Sequence, residues 1–298
     1  APPDSQTLAA SGSTVTVAIT RDFGKEVILE KQVAIGAGTS AMEALEQVTT
    51  VETNYGGGFV EAIGGLRSNY TGGAARSDWF YSVNGVNARS GALDYQVRPG
   101  DVLHFDYHDW TYSISVPATI GAFPEPFLNG YNGNSYATTI VYDAPFKQEA
   151  ETLRGKMAAM GVKDVSVIPS SAGLAQKQKE ATNLIVLGLS DNPLIAEMNH
   201  VYKRLGFFAY FQDGKLEVMN AQGKRQAEYQ QGAGLLLATQ SPWNPSGVGA
   251  AENVVWVVSG TDEAGVKLAA QALTERADSF RYAFGAVVTG AGVTKAPQ

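Results

Sequence analysis

The chain has 298 residues, 44% of them hydrophobic and 17% charged, a formal net charge of -7 and no cysteine. It is long and apolar enough for one large folded domain or two ordinary ones, and the lack of cysteine excludes disulfides, thiolate nucleophiles and thiolate metal sites. Gly223-Lys224-Arg225 is the longest basic cluster, which argues against nucleic acid as a partner, and no apolar run approaches the roughly 20 residues needed to cross a bilayer.

Residues 1–13, opening APPDSQTLAASG, lack both the basic and the apolar region of a signal peptide. They predict a flexible lead-in left after processing, with any export signal or lipid-bearing segment already removed.

From 14 to 116 the pattern alternates as in antiparallel sheets: TVTVAIT, EVILEKQVAI, DWFYSV and DVLHFDYHDWTYSISV. One helix interrupts it, TSAMEALEQV, capped at Thr39 or Ser40 and carrying Met42, Leu45 and Val48 at helical spacing. Residues 117–136, rich in Pro, Gly and Asn without periodicity, predict a linker.

Residues 137–290 alternate strands and helices: ATTIVYD, then a helix opened by Asp143 and Pro145 with Phe146, Ala150, Leu153 and Met157 on one face, then VSVIP, AGLAQKQKEA and NLIVLGL. A helix from Asp191 and Pro193 to Gly206 follows, then a hairpin turning at Asp213-Gly214, GLLLATQ, NVVWVVSG, a helix from Asp262 and FGAVVTG. This predicts an α/β domain with a largely parallel sheet, and residues 291–298 read as a tail.

GAGTSA at 36–41 has the spacing of a dinucleotide-binding turn, but the elements after it are antiparallel, so it reads as a tight strand-to-helix turn. The chain has three histidines. His104 and His108 lie two pleats apart on one strand face, too far for ideal ligands to one metal, and read as surface or half-buried residues. No nucleophile elbow, zincin helix or phosphate-binding loop is present.

The remaining signal is aromatic: Tyr55, Tyr70, Trp79, Tyr81, Tyr131 and Trp243, all at loops or strand ends. Trp79 and Tyr81 share a strand face opposite Phe80, forming either an outward shelf for a ligand or the core face of the sheet. Trp243, between Pro242 and Pro245, lies in a segment too irregular to bury it by periodicity.

The run DWFYSVNGVNARSGALDYQVRPGDVLHFDYHDW resembles the carboxy-terminal β-domain of the transcobalamin and intrinsic factor cobalamin carriers and of related bacterial surface domains. VAIGAGTSAMEALEQV is similar to that family's strand, turn and helix, and GGFVEAIGGL to its next strand, beginning at Phe59. The resemblance covers about 14–112 and implies an α+β, β-grasp-like domain followed here by the α/β domain. In the carriers a helical domain comes first, so its contribution to the ligand cleft has no counterpart to carry over. The second half resembles, more loosely, modules of prokaryotic surface and S-layer-type proteins.

The resemblance implies that Phe59, Ile63, Gly64, Gly65, Asp78, Trp79 and Tyr81 face a corrinoid. Tyr131, Trp243 and Asn244 are expected to join them if the ligand is held between the two domains. A corrin is a broad apolar plate rimmed by neutral amides, which suits aromatic shelves and Gly-rich loops and requires no covalent chemistry. The expectation is therefore a non-enzymatic extracellular or cell-surface protein that binds cobalamin as cargo and passes it to a membrane uptake transporter. If a side chain reached the cobalt, His104 or His108 would be first in line. The alternative is a surface structural or adhesive module binding protein or glycan partners; a carboxylate hydrolase ranks last.

Overall fold

The computed structural model describes residues 13–54, 56, 58–69 and 76–298, so Tyr55, Tyr70 and nearly all of the lead-in lie outside the described residues. β1 (Thr14–Arg21) and β2 (Glu26–Ala34) form an antiparallel hairpin. Alternation along TVTVAITR sends Val15, Val17 and Ile19 to one buried face, leaving Ala18 and Thr20 for the other. The turn between the strands places Asp22, Phe23 and Gly24 at φ of 54°, 60° and 74°.

α1 (Ala41–Glu46) starts where Ser40 and Glu43 bond reciprocally in a capping box, and it buries Ala41, Met42, Ala44 and Leu45 against β1. The turn at 36–40 leads into this helix, and the strands after it are antiparallel, not the parallel strand that a dinucleotide-binding turn requires. β3 (Val51–Asn54), β4 (Phe59–Ile63) and β5 (Leu66–Arg67) make a small antiparallel sheet. β6 (Ser77–Val83), β7 (Val86–Asn87) and β8 (Val102–Asp109) complete the main sheet, in the order β2-β1-β8-β6-β7 with β1 and β8 parallel.

The second half runs β9 (Thr138–Tyr142), a 3-10 turn at Ala144–Phe146, α2 (Lys147–Ala159), β10 (Val165–Pro169), α3 (Gln176–Ala181), β11 (Asn183–Leu187) and α4 (Pro193–His200). A three-stranded antiparallel sheet follows: β12 (Ala209–Gln212), β13 (Lys215–Met219) and β14 (Arg225–Tyr229). β15 (Gly234–Gln240), β16 (Val254–Gly260), α5 (Glu263–Glu275), β17 (Gly285–Thr289) and β18 (Gly292–Ala296) close the chain. Seven of these strands form one sheet, β10-β9-β11-β16-β15-β17-β18.

That sheet is mixed. Only β10-β9-β11-β16 is parallel, and β16-β15-β17-β18 is antiparallel, so the largely parallel expectation holds for half of it. GLLLATQ and VVWVVSG are buried at every position, so neither carries a periodicity that could reveal direction. With no helix between β15 and β16, the chain returns antiparallel.

α2 and α5 cover one face of the sheet, with Phe146, Ala150, Leu153 and Met157 all fully buried. α4 and the β12-β13 pair cover the other. Two segments differ from the reading of the sequence. Residues 117–136 are packed rather than loose, with Ala118, Ile120 and Phe127 in the core under α2 and Phe127 5.2 Å from the Trp256 ring. The expected tail is β18, whose short, small-residue run carries too little pattern to read as a strand.

Candidate functional site

Alternation along two neighbouring strands divides the candidate residues. β6 and β8 pair antiparallel with Trp79 opposite Tyr107 and Tyr81 opposite Phe105, while Asp78, Phe80 and Ser82 oppose His108, Asp106 and His104. Trp79, Tyr81, Phe105 and Tyr107 therefore share the face that packs on α1, and Phe80, His104, Asp106 and His108 share the face turned to the second half.

On the first face, Trp79 is 8% exposed and belongs to the core with Leu45 and Ile63, so the ring is a core element rather than an outward shelf. Its Nε1 donates to the Leu66 carbonyl at 2.8 Å, and the Ser68 hydroxyl donates to Asp78 at 2.5 Å. Tyr107, 5.2 Å from the Trp79 ring, donates to the Arg67 carbonyl at 3.0 Å. These bonds fasten the β4–β5 hairpin over the end of β6. They bring Ile63, Gly64, Gly65, Asp78 and Trp79 into one neighbourhood.

The hairpin turns at Gly64 and Gly65, with φ of 58° and 83°, where a side chain would be strained; a Cβ on Gly65 would meet nothing within contact distance. Ile63 is buried, whereas Phe59, which begins the same strand, is 37% exposed. Leu66, Arg67, Ser68 and Tyr107 were not singled out from the sequence. Tyr107 alone had a signal, since it shares a strand face with Phe105 in HFDYHD.

Tyr81 stacks on Phe105 at 5.2 Å and donates to the Ser90 carbonyl at 2.6 Å. Burial, chiefly, pushes its hydroxyl well above the ordinary tyrosine range. Tyr131 reaches the same place from the connecting segment: its hydroxyl accepts from the Arg89 amide at 3.1 Å, and its ring lies 5.2 Å from Tyr95. Tyr95 donates to Asp101, and Asn84 bridges Asp101 and the Gly130 carbonyl. Nearby, Glu125 is buried and accepts from the amide and side chain of Asn129, and burial, foremost, lifts its carboxyl to about 7. Tyr131 is thus a half-buried strap between the halves.

Trp243 and Asn244 do not join this group. Trp243 Nε1 donates to Glu197 at 2.7 Å and its ring lies 5.4 Å from Lys179, while Asn244 donates to Glu252 and Asn253. Both order the β15–β16 connection within the second half, so the expected single cleft uniting them with Trp79 is not formed.

The junction is filled instead. His104 and His108 are each 4% exposed, which corrects the surface assignment. Facing away from Trp79, they cannot reach a ligand on its side of the sheet. His108 is sandwiched between Phe23 and Phe80 at 4.3 and 4.4 Å, and its Nδ1 lies 2.7 Å from Asp106. Asp106 also accepts from the Phe23 and Gly24 amides at 3.0 and 2.8 Å and from the Thr20 hydroxyl. Phe23, so held, inserts between Phe208 and Phe284. A cavity of about 20 Å³ lined by Phe80, His104, Asp106, His108, Thr119 and Phe284 remains, room for about one water and far too small for a corrin. Among the described residues, no group of three or more His, Cys, Asp or Glu side chains is arranged to hold a metal ion.

Residues 38–109 match a family model described as a domain of unknown function, DUF4430. No curated protein sequence matches the chain. Among solved structures, haptocorrin in complex with Cbi aligns at a TM-score of 0.28 and 21% identity, covering 33% of this chain and 25% of that one, so the chain spans about a quarter of haptocorrin's length. A structure from Ruminococcus gnavus ATCC 29149, named "putative metal binding protein", aligns at a TM-score of 0.25 and 15% identity over 33% of this chain and 97% of that one.

Proposed function

We propose that the chain is a non-enzymatic binding protein, working outside the cytoplasm, that takes a corrinoid against the β4–β5 hairpin and hands it to a membrane uptake transporter. In this reading residues 14–116 are a β-grasp-like domain and 137–290 an α/β domain carrying it. The supporting observation is that Ile63, Gly64, Gly65, Asp78 and Trp79, separated in sequence, are fastened together by the Trp79 to Leu66 and Ser68 to Asp78 hydrogen bonds, with an exposed Phe59 at the opposite end of β4. A Gly-Gly turn lets backbone amides approach a flat ligand, and Phe59 offers an apolar surface that water covers poorly.

With the junction packed, this reading sets the site on the outer hairpin and leaves its second wall to a partner protein. Phe59→Ser tests this more cleanly than any change at Trp79, because Phe59 is exposed whereas Trp79 is packed in the core. After incubation with cyanocobalamin and desalting, the wild type is expected to retain the corrin absorbance and Phe59→Ser to retain much less; a colourless wild type sinks the reading. A rigid surface module is the second reading. The aromatic junction favours it, because two halves locked together make a stiff spacer. Cell-wall or self-assembly binding without corrinoid retention would decide for it.

A further inference from the structure

The polar cluster at the junction has a use that ligand binding leaves open. Asp106 accepts four hydrogen bonds: Thr20 and Gly24 at Oδ1, Phe23 and His108 at Oδ2. Its lone pairs are therefore all taken. Thr20 has one hydroxyl proton, given to Asp106, so its oxygen accepts from His104 Nε2 at 2.7 Å, which fixes the proton of neutral His104 on that nitrogen. A second proton on His104 must go to Nδ1 and creates a buried cation with no acceptor to spare on the one carboxylate beside it.

We propose that this cluster is an acid-sensitive latch: acidification releases the Phe23 turn and opens the junction while the second half stays folded. The surroundings set the direction. From β18, Lys295 Nζ donates to the carbonyls of Gly24 and Arg281 at 2.5 and 2.7 Å, so a cation already occupies the second half's side of the junction. Arg281 is engaged with Glu30 of β2, and Lys25 with Asp22 at the rim of the turn, so none of these charges is free to compensate. β6 contributes Phe80 and Ser82, neither charged, and the segment after α5 contributes Tyr282 and Phe284.

Burial, above all, holds His104 down at about 4, with His108 and Lys295 adding repulsion and Asp106 only partly offsetting them. Burial opposes ionisation of Asp106, yet His108, His104 and Thr20 keep its carboxyl below the ordinary range, so it stays charged while His104 titrates. A histidine depressed in the closed state and ordinary once exposed confers stability that is complete above about pH 6.5 and is lost as pH falls towards 4. At pH 5 the same shift favours opening by about 30-fold.

Amide deuterium exchange, corrected for intrinsic rate, tests this on the whole chain. Residues 20–25 and 119–124 are expected to lose about 20-fold in protection between pH 7 and pH 5 while β15 and β16 keep theirs, and His104→Gln, which can still donate to Thr20, abolishes that loss. Simultaneous loss in all of these segments, or an undiminished loss in His104→Gln, overturns the latch. If His104→Gln does not fold, Lys295→Gln decides: removing the facing cation shrinks the loss, and no change overturns the proposal.

Discussion

Glu125→Gln should reverse the sign of its effect on stability between acid and alkaline solution. Glu125 is 5% exposed, in the segment joining the halves, and its two oxygens accept from the backbone amide and the side-chain amide of Asn129 at 2.9 and 2.6 Å. Burial raises its carboxyl from 4.5 to about 7. A carboxyl raised in the folded state contributes stability that is complete below the unfolded value and lost as pH rises through the folded one, so the window is pH 4.5 to 7. At about 1.4 kcal/mol per unit, the shift amounts to about 3 kcal/mol. Glutamine keeps one acceptor and presents an N–H where the other stood, which costs about 1 kcal/mol whatever the pH.

At pH 4.5 the wild type should therefore be more stable than Glu125→Gln by about 1 kcal/mol, and at pH 8.5 less stable by about 2 kcal/mol. Urea unfolding followed by tryptophan fluorescence at both pH values measures the two differences. Taking differences between the proteins cancels every other titrating group, including His104. A variant displaced by the same amount in the same direction at both pH values would refute the assignment of Glu125 as an acid held neutral by burial.

Phe23→Ala empties the socket between Phe208, Phe284 and His108 and should lower stability by about 3 kcal/mol or more, read as a shift in urea midpoint without loss of secondary structure. Gly24→Ala should be at least as damaging, because a Cβ there runs into the Tyr282 carbonyl and φ is positive; thermal unfolding measures it, and a neutral result would mean the turn does not touch the second half. Asp106→Ala orphans two buried amides and should lower stability by at least about 3 kcal/mol in the same unfolding assay. Trp79→Phe loses the bond to the Leu66 carbonyl and should lose about 1 kcal/mol in the same assay, whereas Phe59→Ser should give up corrinoid retention while still unfolding cooperatively in urea.

Much of the fold was legible because local signals and packing agreed. The Thr39-Ser40 cap announces α1, and Asp262 announces α5. The apolar face Phe146, Ala150, Leu153 and Met157 predicts the side on which α2 packs, although the helix itself begins only at Lys147 after a 3-10 turn. The pairing direction of β15 was not legible, because a strand buried on both faces has no alternation to read. Nor was the packing of 117–136, since Pro- and Gly-rich stretches signal irregular backbone without saying whether Ile120 and Phe127 are buried. Of the candidate ligand residues, alternation placed Trp79 and Tyr81 on one face but could not decide that α1 covers it. Trp243 drew attention by its irregular setting and proved to anchor its own loop through Glu197.

The histidines show why a polar alternation is ambiguous in a two-layer reading. In VLHFDYHD, polar His104, Asp106 and His108 alternate with Leu103, Phe105 and Tyr107, which in a sheet with one wet face sends the polar set to solvent. Here the second half covers that face, and the polar groups become buried partners of one another and of the Phe23 turn. Hydrophobic contact alone, between Phe23, Phe208 and Phe284, is tolerant of sliding. A carboxylate whose four acceptor sites are claimed by two backbone amides, a hydroxyl and an imidazole is not, because any displacement leaves a buried charge unpaired. The polar face of β8 therefore adds register rather than adhesion: aromatic burial holds the halves together, and Asp106 decides where.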